Sequence, residues 1–498
     1  MQVEREIKFS LSPQAAQRVA RHVRPAGPWR RRTVSSAYYD TPGERLRRAG
    51  VALRFRREGT RRLQTLKADG APHAGYAARA EWELAAPGGK LETGAFPRTE
   101  IMAATGLDLQ RIAPKLQPVF ETRFTRRSAP VALDATARAE LCVDVGYVGA
   151  RGQKERISEL EIELKSGDPR ALLRYAERLA AALGLELAFE SKAERGYRLA
   201  SAQRTAPPRK WPRPVLAESA TPAAAFAALA GAALAQAGAN ARGLAHERDT
   251  EYLHQLRVGL RRLRSAMRAF RALVGSGKPV LRRLRNLTPW LGEARDWDVF
   301  CEWLSQHARS AEAGGTELRA LLARARARRA AARRKARQAV ASPEFQGFLL
   351  RTLRWLHGAP WRRRRGTKVD ATLAAFGARA LERLHRKALE HARDIDWRDA
   401  AARHALRVRV KRLRYGCDFF AGCFARASAG PYLRSLEALQ DILGELNDVA
   451  VARRLLAQLG DPAALHVALR QREASLLRGL EPAWAAFERR RAFWKARR

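Results

Sequence analysis

Two hydrophobic periods divide the chain. Up to about residue 200, apolar and charged residues alternate. Leu53 and Phe55 stand between Arg54 and Arg56, and Trp82 and Leu84 between Glu81 and Glu83. Leu160, Ile162 and Leu164 interleave with Glu159, Glu161, Glu163 and Lys165. At the start, E-R-E-I-K puts Glu4, Glu6 and Lys8 on one face of a strand, with Arg5 and Ile7 on the other. A period of two predicts a strand-rich domain, interrupted by a helical stretch at roughly 169–183. Residues 201–222 hold five prolines among polar neighbours and read as a linker. Beyond it Ala, Leu and Arg recur at helical spacing to the end. The expected organisation is α+β in two domains: strands over 1–200 and an all-helical domain over 223–498.

The helical part repeats itself. H-Q-L-R-V-G-L-R-R-L-R begins at His254, and H-A-L-R-V-R-V-K-R-L-R begins at His404. L-G-E-A-R-D ends at Asp296 and L-G-E-L-N-D at Asp448, which lie 42 and 44 residues after their histidines. Two ordered matches at near-equal spacing indicate an internal duplication, with repeats around 246–310 and 396–460. On a helix, His254, Arg257, Arg261, Arg264 and Arg268 form one stripe beside the apolar Leu256, Leu260, Leu263, Met267 and Phe270. The second copy sets His404, Arg407, Lys411 and Arg414 beside Leu406, Val410, Leu413 and Phe420. Arg262 and Arg412 follow at the stripe's margin. A charged helix face is ordinarily just solvated. Here acidic i,i+4 partners are almost absent and the stripe is duplicated with its histidine, so anion binding is the stronger expectation.

Charge sharpens this. The net charge is +45, which calls for an anionic partner. Residues 1–200 carry +12, and the remaining 298 carry +33. Four scattered cysteines, Cys142, Cys301, Cys417 and Cys423, form neither a disulfide framework nor a zinc-type CxxC pair. A reducing compartment, the cytoplasm, is expected. No uninterrupted run of about 18 apolar residues predicts a membrane span, and no apolar signal segment opens the chain.

In the strand-rich part the charges form a set. Each strand alone fits a wet face opposite a core face. Together, the same side of several strands carries almost only carboxylates, guanidiniums and ammoniums. If the strands close into a barrel, these faces converge inside. A phosphate chain bound with a divalent cation needs that mixture: carboxylates for the metal, Arg and Lys for the phosphates.

E-R-E-I-K resembles the ExExK signature of the CYTH, or triphosphate tunnel metalloenzyme, superfamily. A-Y-Y-D-T-P, L-R-R-A-G-V-A-L-R-F-R-R-E, L-Q-T-L-K, R-A-E-W-E-L, S-E-L-E-I-E-L-K-S-G-D and F-E-S-K-A-E-R-G-Y follow in order. The resemblance implies a closed tunnel of about eight antiparallel strands that hydrolyses a triphosphate with Mg2+ or Mn2+. By position it implies metal ligands at Glu4, Glu6, Asp144, Glu159, Glu161 and Glu163, and tunnel carboxylates at Glu81 and Glu83. It implies phosphate contacts at Lys8, Arg54, Arg56, Lys67, Arg79 and Lys192, plus either Arg123 or Arg126. Glu4, Glu6, Lys8, Lys67, Glu81 and Glu83 form the implied catalytic group. The duplicated helical half resembles the CHAD domain, which implies binding of inorganic polyphosphate by His254, Arg257, Arg261, Arg262, Arg264, His404, Arg407, Lys411, Arg412 and Arg414. The arginines at 362–365 and the stretch 324–337 either add to that surface or are plain solvated surface. Asp296 and Asp448 are expected to anchor arginines or cap helices rather than bind metal.

The combined expectation is a metal-dependent inorganic triphosphatase joined to a polyphosphate-binding module, cytoplasmic and associated with polyphosphate granules. The alternatives are a non-catalytic polyphosphate or granule protein, and a triphosphatase acting on thiamine triphosphate or a nucleoside triphosphate. Nucleic acid enters only as a non-specific electrostatic partner, because the basic stripes lack interleaved exposed aromatics.

Overall fold

A computed structural model describes residues 2–68, 76–211, 213–217, 219–275, 277–310, 315–359, 361, 372–460 and 463–495. It divides into two compact units. The first comprises residues 1–212, 234–256 and 340–358; the second comprises 213–233, 257–339 and 359–498.

The first unit is built on nine strands: β1 (Gln2–Ser10), β2 (Arg30–Asp40), β3 (Val51–Glu58), β4 (Arg61–Ala68), β5 (Tyr76–Ala85), β6 (Gln117–Ala132), β7 (Arg138–Ala150), β8 (Gln153–Ser166) and β9 (Glu186–Leu187). Eight of them pair in the order β5-β4-β3-β2-β6-β7-β8-β1, and β1 pairs back onto β5 to close the barrel. Every pairing is antiparallel, and β9 adds beside Phe9 and Ser10.

Alternation decides which face goes where. Ile7, Phe9, Leu53, Leu66, Trp82, Leu160 and Ile162 are all buried, yet they point away from the barrel axis. Helix Pro169–Leu183 packs on β1 and β8. The short helices Arg98–Thr105 and Leu109–Ile112 bring Ile101, Leu109 and Ile112 onto Leu53, Leu66 and Trp82. One apolar cluster therefore lies outside the barrel, and the charged residues at alternate positions lie within it. A second cluster, with Val34, Tyr38, Phe120, Phe124 and Tyr197, shares the inner strand faces with Arg54 and Arg126.

Helix Lys192–Ala200 packs on β6 and β7. It starts with a capping box, in which the Ser191 hydroxyl accepts from Glu194 N (3.1 Å) and the Glu194 carboxylate accepts from Ser191 N (2.7 Å). Tyr197 meets Phe120 edge-on at 5.1 Å, and Phe120 stacks on Tyr38 at 4.5 Å. Gly196 permits this approach, since a Cβ there would stand 2.1 Å from the Phe120 ring. The Tyr197 hydroxyl donates to Asp40 at 2.8 Å. Asp40, fully buried, also accepts from the backbone N–H groups of Thr41, Leu46 and Arg47.

The second unit is helical. The repeat helices are Thr250–Ala269, which enters it at Arg257, and Ala400–Phe420. Leu260, Leu263, Met267 and Phe270 of the first, and Leu406, Val410, Leu413 and Phe420 of the second, are buried. Phe270 sits 5.0 Å from Phe420 and 5.2 Å from Phe376. Each repeat thus buries the stripe that its periodicity marks. The membrane expectation needs amending: helix Pro222–His246 is long and apolar enough to cross a bilayer by length and composition. However, 72% of its most apolar window is buried within the protein, as in a core helix.

Candidate active site and anion-binding surface

Inside the barrel is a cavity of about 370 Å3. Its lining includes Glu4, Glu6, Lys8, Arg54, Arg56, Lys67, Arg79, Glu81, Glu83, Arg126, Glu161, Glu163 and Lys192. Strand register sets the neighbours. Glu6 stands opposite Glu163 and Lys8 opposite Glu161 on β8. Lys67 faces Glu81, and Asp144 lies between Arg126 and Glu159.

These groups form two clusters. In one, Lys67 donates to both oxygens of Glu4 (2.7 and 2.6 Å) and lies 3.2 Å from Glu81. Lys8 bridges Glu6 (3.1 Å) and Glu161 (3.0 Å), and Arg79 approaches Glu6 at 3.9 Å. In the other, Lys192 contacts Asp144 (2.9 Å), Glu159 (2.9 Å) and Glu161 (2.8 Å). Arg126 grips Asp144 with two nitrogens (2.8 and 2.7 Å) and reaches Glu161 at 2.7 Å. Behind them Arg195 donates to Glu159 at 2.6 Å.

Burial and pairing compete at every carboxylate. Burial pushes Glu4 up, but Lys67 overcomes it and holds the group at about 2. Burial likewise opposes ionisation of Asp144, Glu159 and Glu161. Lys192, with Arg126 at Asp144 and Glu161, keeps all three below the usual carboxylate range. Glu163 is the exception, since burial raises it despite Lys165 at 2.6 Å.

Arg54 and Arg56 differ from the other cations. Both are buried. Arg54 donates to the Tyr38 hydroxyl (3.4 Å) and Arg56 to Ser36 (3.5 Å). Among the described residues neither has a carboxylate at ion-pair distance, and Arg54 Nε has no acceptor. Burial, then Arg54 and Arg126, depress Arg56 to about 10.

Of the two arginines left open on β6, Arg126 points into the barrel. Arg123 is exposed on the outer face, which corrects its place in the phosphate set. Three residues apart in a regular strand, the two cannot share a face.

In the helical unit the arginines and the lysine of the basic stripes are half-buried rather than freely solvated, and His404 is exposed. Arg261 Nε donates to the Tyr415 hydroxyl at 2.8 Å, and Arg262 lies over the Tyr415 ring at 5.7 Å. Lys411 is pushed down to about 7 by burial and then by Arg407 and Arg261. The His404 ring meets Asn447 Oδ1 at 2.9 Å. Asp296 pairs with Arg454 at 2.8 Å, and Asp448 lies close enough to Arg407 to oppose the loss of its proton. Asp296 in the later motif of the first repeat thus anchors an arginine, as expected. His254 is half-buried. One acidic i,i+4 partner does occur in the stripe, Asp418 beside Arg414. The arginines at 362–365 lie outside the described residues. In the stretch 324–337, Arg333 lies 3.8 Å from the buried Asp298.

Comparison with known families decides the assignment. The CYTH domain model matches residues 2–197, and the CHAD domain model matches residues 228–457. The chain carries a CYTH domain followed by a CHAD domain. The CYTH region is 29% identical over 207 residues to the inorganic triphosphatase of Haemophilus influenzae; the match spans 40% of this chain and 56% of that protein. Among solved structures, the CHAD domain from the plant Ricinus communis is 31% identical, over 58% of this chain and 99% of that one, at a TM-score of 0.49. A putative adenylyl cyclase from Hippeastrum, reported to have a dominant triphosphatase activity, is 18% identical over 41% of this chain and 97% of that one, at a TM-score of 0.32.

The CYTH tunnel can be tested for fit to a divalent metal. The six candidate ligands do not act as one set, and among the described residues no three acidic, His or Cys side chains are arranged as a ligand group. Asp144 and Glu159 have their oxygens taken by Lys192, Arg126 and Arg195. That deep cluster is an internal ion-pair network, and Lys67 and Lys165 hold Glu4 and Glu163 in the same way. Glu4, Glu6 and Glu163, unlike Asp144 and Glu159, line the cavity. They are hard oxygen donors on adjacent strands, and the buried Glu6 Oε1 accepts no hydrogen bond. Sequence reading missed Asp40, Tyr38, Arg195 and Tyr415. Asp40 and Tyr38 stand in A-Y-Y-D-T-P and Arg195 in S-K-A-E-R-G-Y, so the motifs marked them without giving them a partner.

Proposed function

We propose that the CYTH domain hydrolyses inorganic triphosphate in a divalent-metal-dependent reaction and that the CHAD domain binds inorganic polyphosphate. The observation that carries the first part is a pair of buried guanidiniums without carboxylate partners, Arg54 and Arg56. They line the same cavity as the carboxylates Glu4, Glu6 and Glu163. Buried cations without an ion pair are costly, and a phosphate chain relieves that cost, most of all at Arg56; at Arg54, Tyr38, Glu81 and Glu4 already favour the charge. A receptor for anions alone gains nothing from the carboxylates. Glu4, Glu6 and Glu163 would hold Mg2+ or Mn2+, which supplies Lewis-acid polarisation of the scissile phosphoryl group and an activated water. Arg54 and Arg56 would orient the phosphoryl oxygens with their fork geometry. Lys8 and Lys67 would exchange carboxylate partners for phosphate, and Lys192 and Arg126, fixed by Asp144 and Glu159, would hold the far end. The relative's name supports the inorganic substrate. So does a cavity lined mostly by charge, with Tyr38 and Tyr197 as the aromatic residues among its described lining. A cytoplasmic site at polyphosphate granules fits the basic CHAD surface.

Phosphate release from tripolyphosphate, thiamine triphosphate and ATP, with Mg2+ or Mn2+, tests the assignment. Tripolyphosphate should turn over fastest, and Glu4→Gln/Glu6→Gln should lower the rate about 100-fold or more. Absence of metal-dependent turnover of any triphosphate leaves the chain a polyphosphate-binding protein. Faster turnover of ATP or thiamine triphosphate replaces the substrate.

A further inference from the structure

The duplication in the helical unit creates two related sites that have diverged. Counted from His254 and His404, position +8 is Arg262 and Arg412, and position +10 is Arg264 and Arg414. Position +14 is Arg268 in one copy and Asp418 in the other. Position +8 of each copy lies near +10 of the other: Arg262 with Arg414, and Arg264 with Arg412. Two equivalent anion sites would follow from symmetry alone.

They are not equivalent. Around Arg262 and Arg414 the protein supplies its own counter-ions. Asp418 pairs with Arg414, Glu437 lies 3.7 Å from the same guanidinium, and Asp418 also acts on Arg262. Around Arg264 and Arg412, position +14 is a further arginine. Arg268 adjoins both, Arg285 approaches from helix Lys278–Ser310, and Arg409 adjoins Arg412. Among the described residues none of these five has a carboxylate at ion-pair distance. Their polar contacts are weak or local: Arg264 donates to Thr288 at 3.4 Å and Arg409 to the Ala405 carbonyl at 2.9 Å. Arg412 Nε is buried without an acceptor, as is Arg262 Nε at the counterpart, so the contrast between the two rests on Asp418 and Glu437. Burial, then neighbouring guanidiniums, lower Arg264, Arg268 and Arg412, the last to about 10. Four half-buried guanidiniums and the exposed Arg285 repel one another. A single small anion offsets only part of that. A chain of phosphates, with one charge every few ångströms, matches several forks at once.

We propose that the phosphate chain is gripped at only one of the two repeat-related sites, the cluster Arg264, Arg268, Arg285, Arg409 and Arg412, while its counterpart is closed by Asp418. This rests on the polyphosphate reading above and sharpens it.

The test is titration of the full chain with medium-length inorganic polyphosphate at fixed salt. Arg264→Ala/Arg412→Ala should weaken binding by about tenfold or more, the scale of lost charge-assisted hydrogen bonds. Arg262→Ala/Arg414→Ala should weaken it by clearly less, about threefold at most, because Asp418 already pairs with Arg414. As a second arm that removes no arginine, Asp418→Asn should tighten binding or add a second equivalent of sites by opening the closed copy. Equal losses from the two double variants, together with no gain from Asp418→Asn, overturn the asymmetric site while leaving polyphosphate binding in place. Failure of the unsubstituted chain to bind polyphosphate overturns the reading and the site together.

Discussion

Glu4 stays ionised at a depth where a lone carboxylate would be neutral. Its ordinary value of 4.5 falls to about 2 because Lys67 outweighs burial. A depressed carboxylate contributes stability that is present above its unfolded value and is lost as pH falls through the folded one. The CYTH domain should therefore lose stability between about pH 4.5 and pH 2. Lys67→Met should cost about 3 kcal/mol at neutral pH, because it leaves a buried charge with no near partner. Adding Glu4→Gln should recover much of that loss. Urea melts of the four corners of this cycle measure it, and independent, additive effects would refute the pairing. Lys411 is the opposite case, brought from 10.5 to about 7 by burial and like charge. Between those values the unfolded chain binds the proton and the folded chain does not, so this lysine makes stability rise with pH across the window. A polyanion that extends from the Arg264 cluster to Arg407 and Arg261 would restore the proton. Calorimetry near pH 8 in buffers of different ionisation enthalpy should show uptake of ~1 proton on polyphosphate binding, and Lys411→Met should abolish it. Direction was readable at this scale wherever a strand kept its period: Glu4, Glu6 and Lys8 line the cavity as the spacing predicts. The choice between Arg123 and Arg126 was not, because the spacing shows only that the two face opposite ways. Which of them faces inward depends on the pairing of Arg126 with Asp144.

Helix Lys192–Ala200 shows how an element can carry a site without belonging to its strands. Its first residue delivers the ammonium that joins Asp144, Glu159 and Glu161, while Gly196 and Tyr197 set the helix against Phe120 and Asp40. Gly196→Ala forces a methyl into the Phe120 ring, 2.1 Å away. The expected cost is about 1–3 kcal/mol, as for other over-packed cores. The loss of triphosphatase turnover should exceed what unfolding explains, because the helix start moves with the clash. Thermal melting and turnover measured on one preparation separate the two, and unchanged turnover at a lowered melting temperature would show that Lys192 is positioned otherwise. Alternation made the strands legible, and the stretch predicted at 169–183 is the helix Pro169–Leu183. The closure of β1 onto β5 was not legible from alternation, since it joins residues 2–7 to 76–81 and leaves no local trace. Nor was Asp40 as the group that ties helix Lys192–Ala200 to the barrel, because its partners gather only after closure.

Over the whole molecule the two kinds of charge are segregated by purpose. Among the described residues most cations lining the CYTH cavity meet a carboxylate, whereas the buried Arg54 and Arg56 have none at ion-pair distance, and neither do the arginines of the Arg264 cluster in the helical unit. The net charge of +45 is thus more than a uniform coat. It is concentrated where internal compensation stops, and there the proposed polyanion would displace counter-ions rather than protein carboxylates. Two consequences separate the domains in one full-length chain. Glu4→Gln/Glu6→Gln should abolish triphosphate turnover and leave polyphosphate affinity within about twofold, since the altered groups lie in a cavity lined by its own residues. Arg264→Ala/Arg412→Ala should do the reverse with tripolyphosphate as substrate. Polyphosphate affinity should also fall steeply with salt, and the slope of log K against log salt should shrink by about one for each phosphate-contacting arginine removed, by analogy with nucleic-acid backbones. Turnover of tripolyphosphate should depend on salt far less, because Arg54 and Arg56 act from burial, where screening is weak. If both activities instead collapsed together under either pair of substitutions, the charge in the two units would be acting as one field, and assigning separate chemistry to each domain would fail.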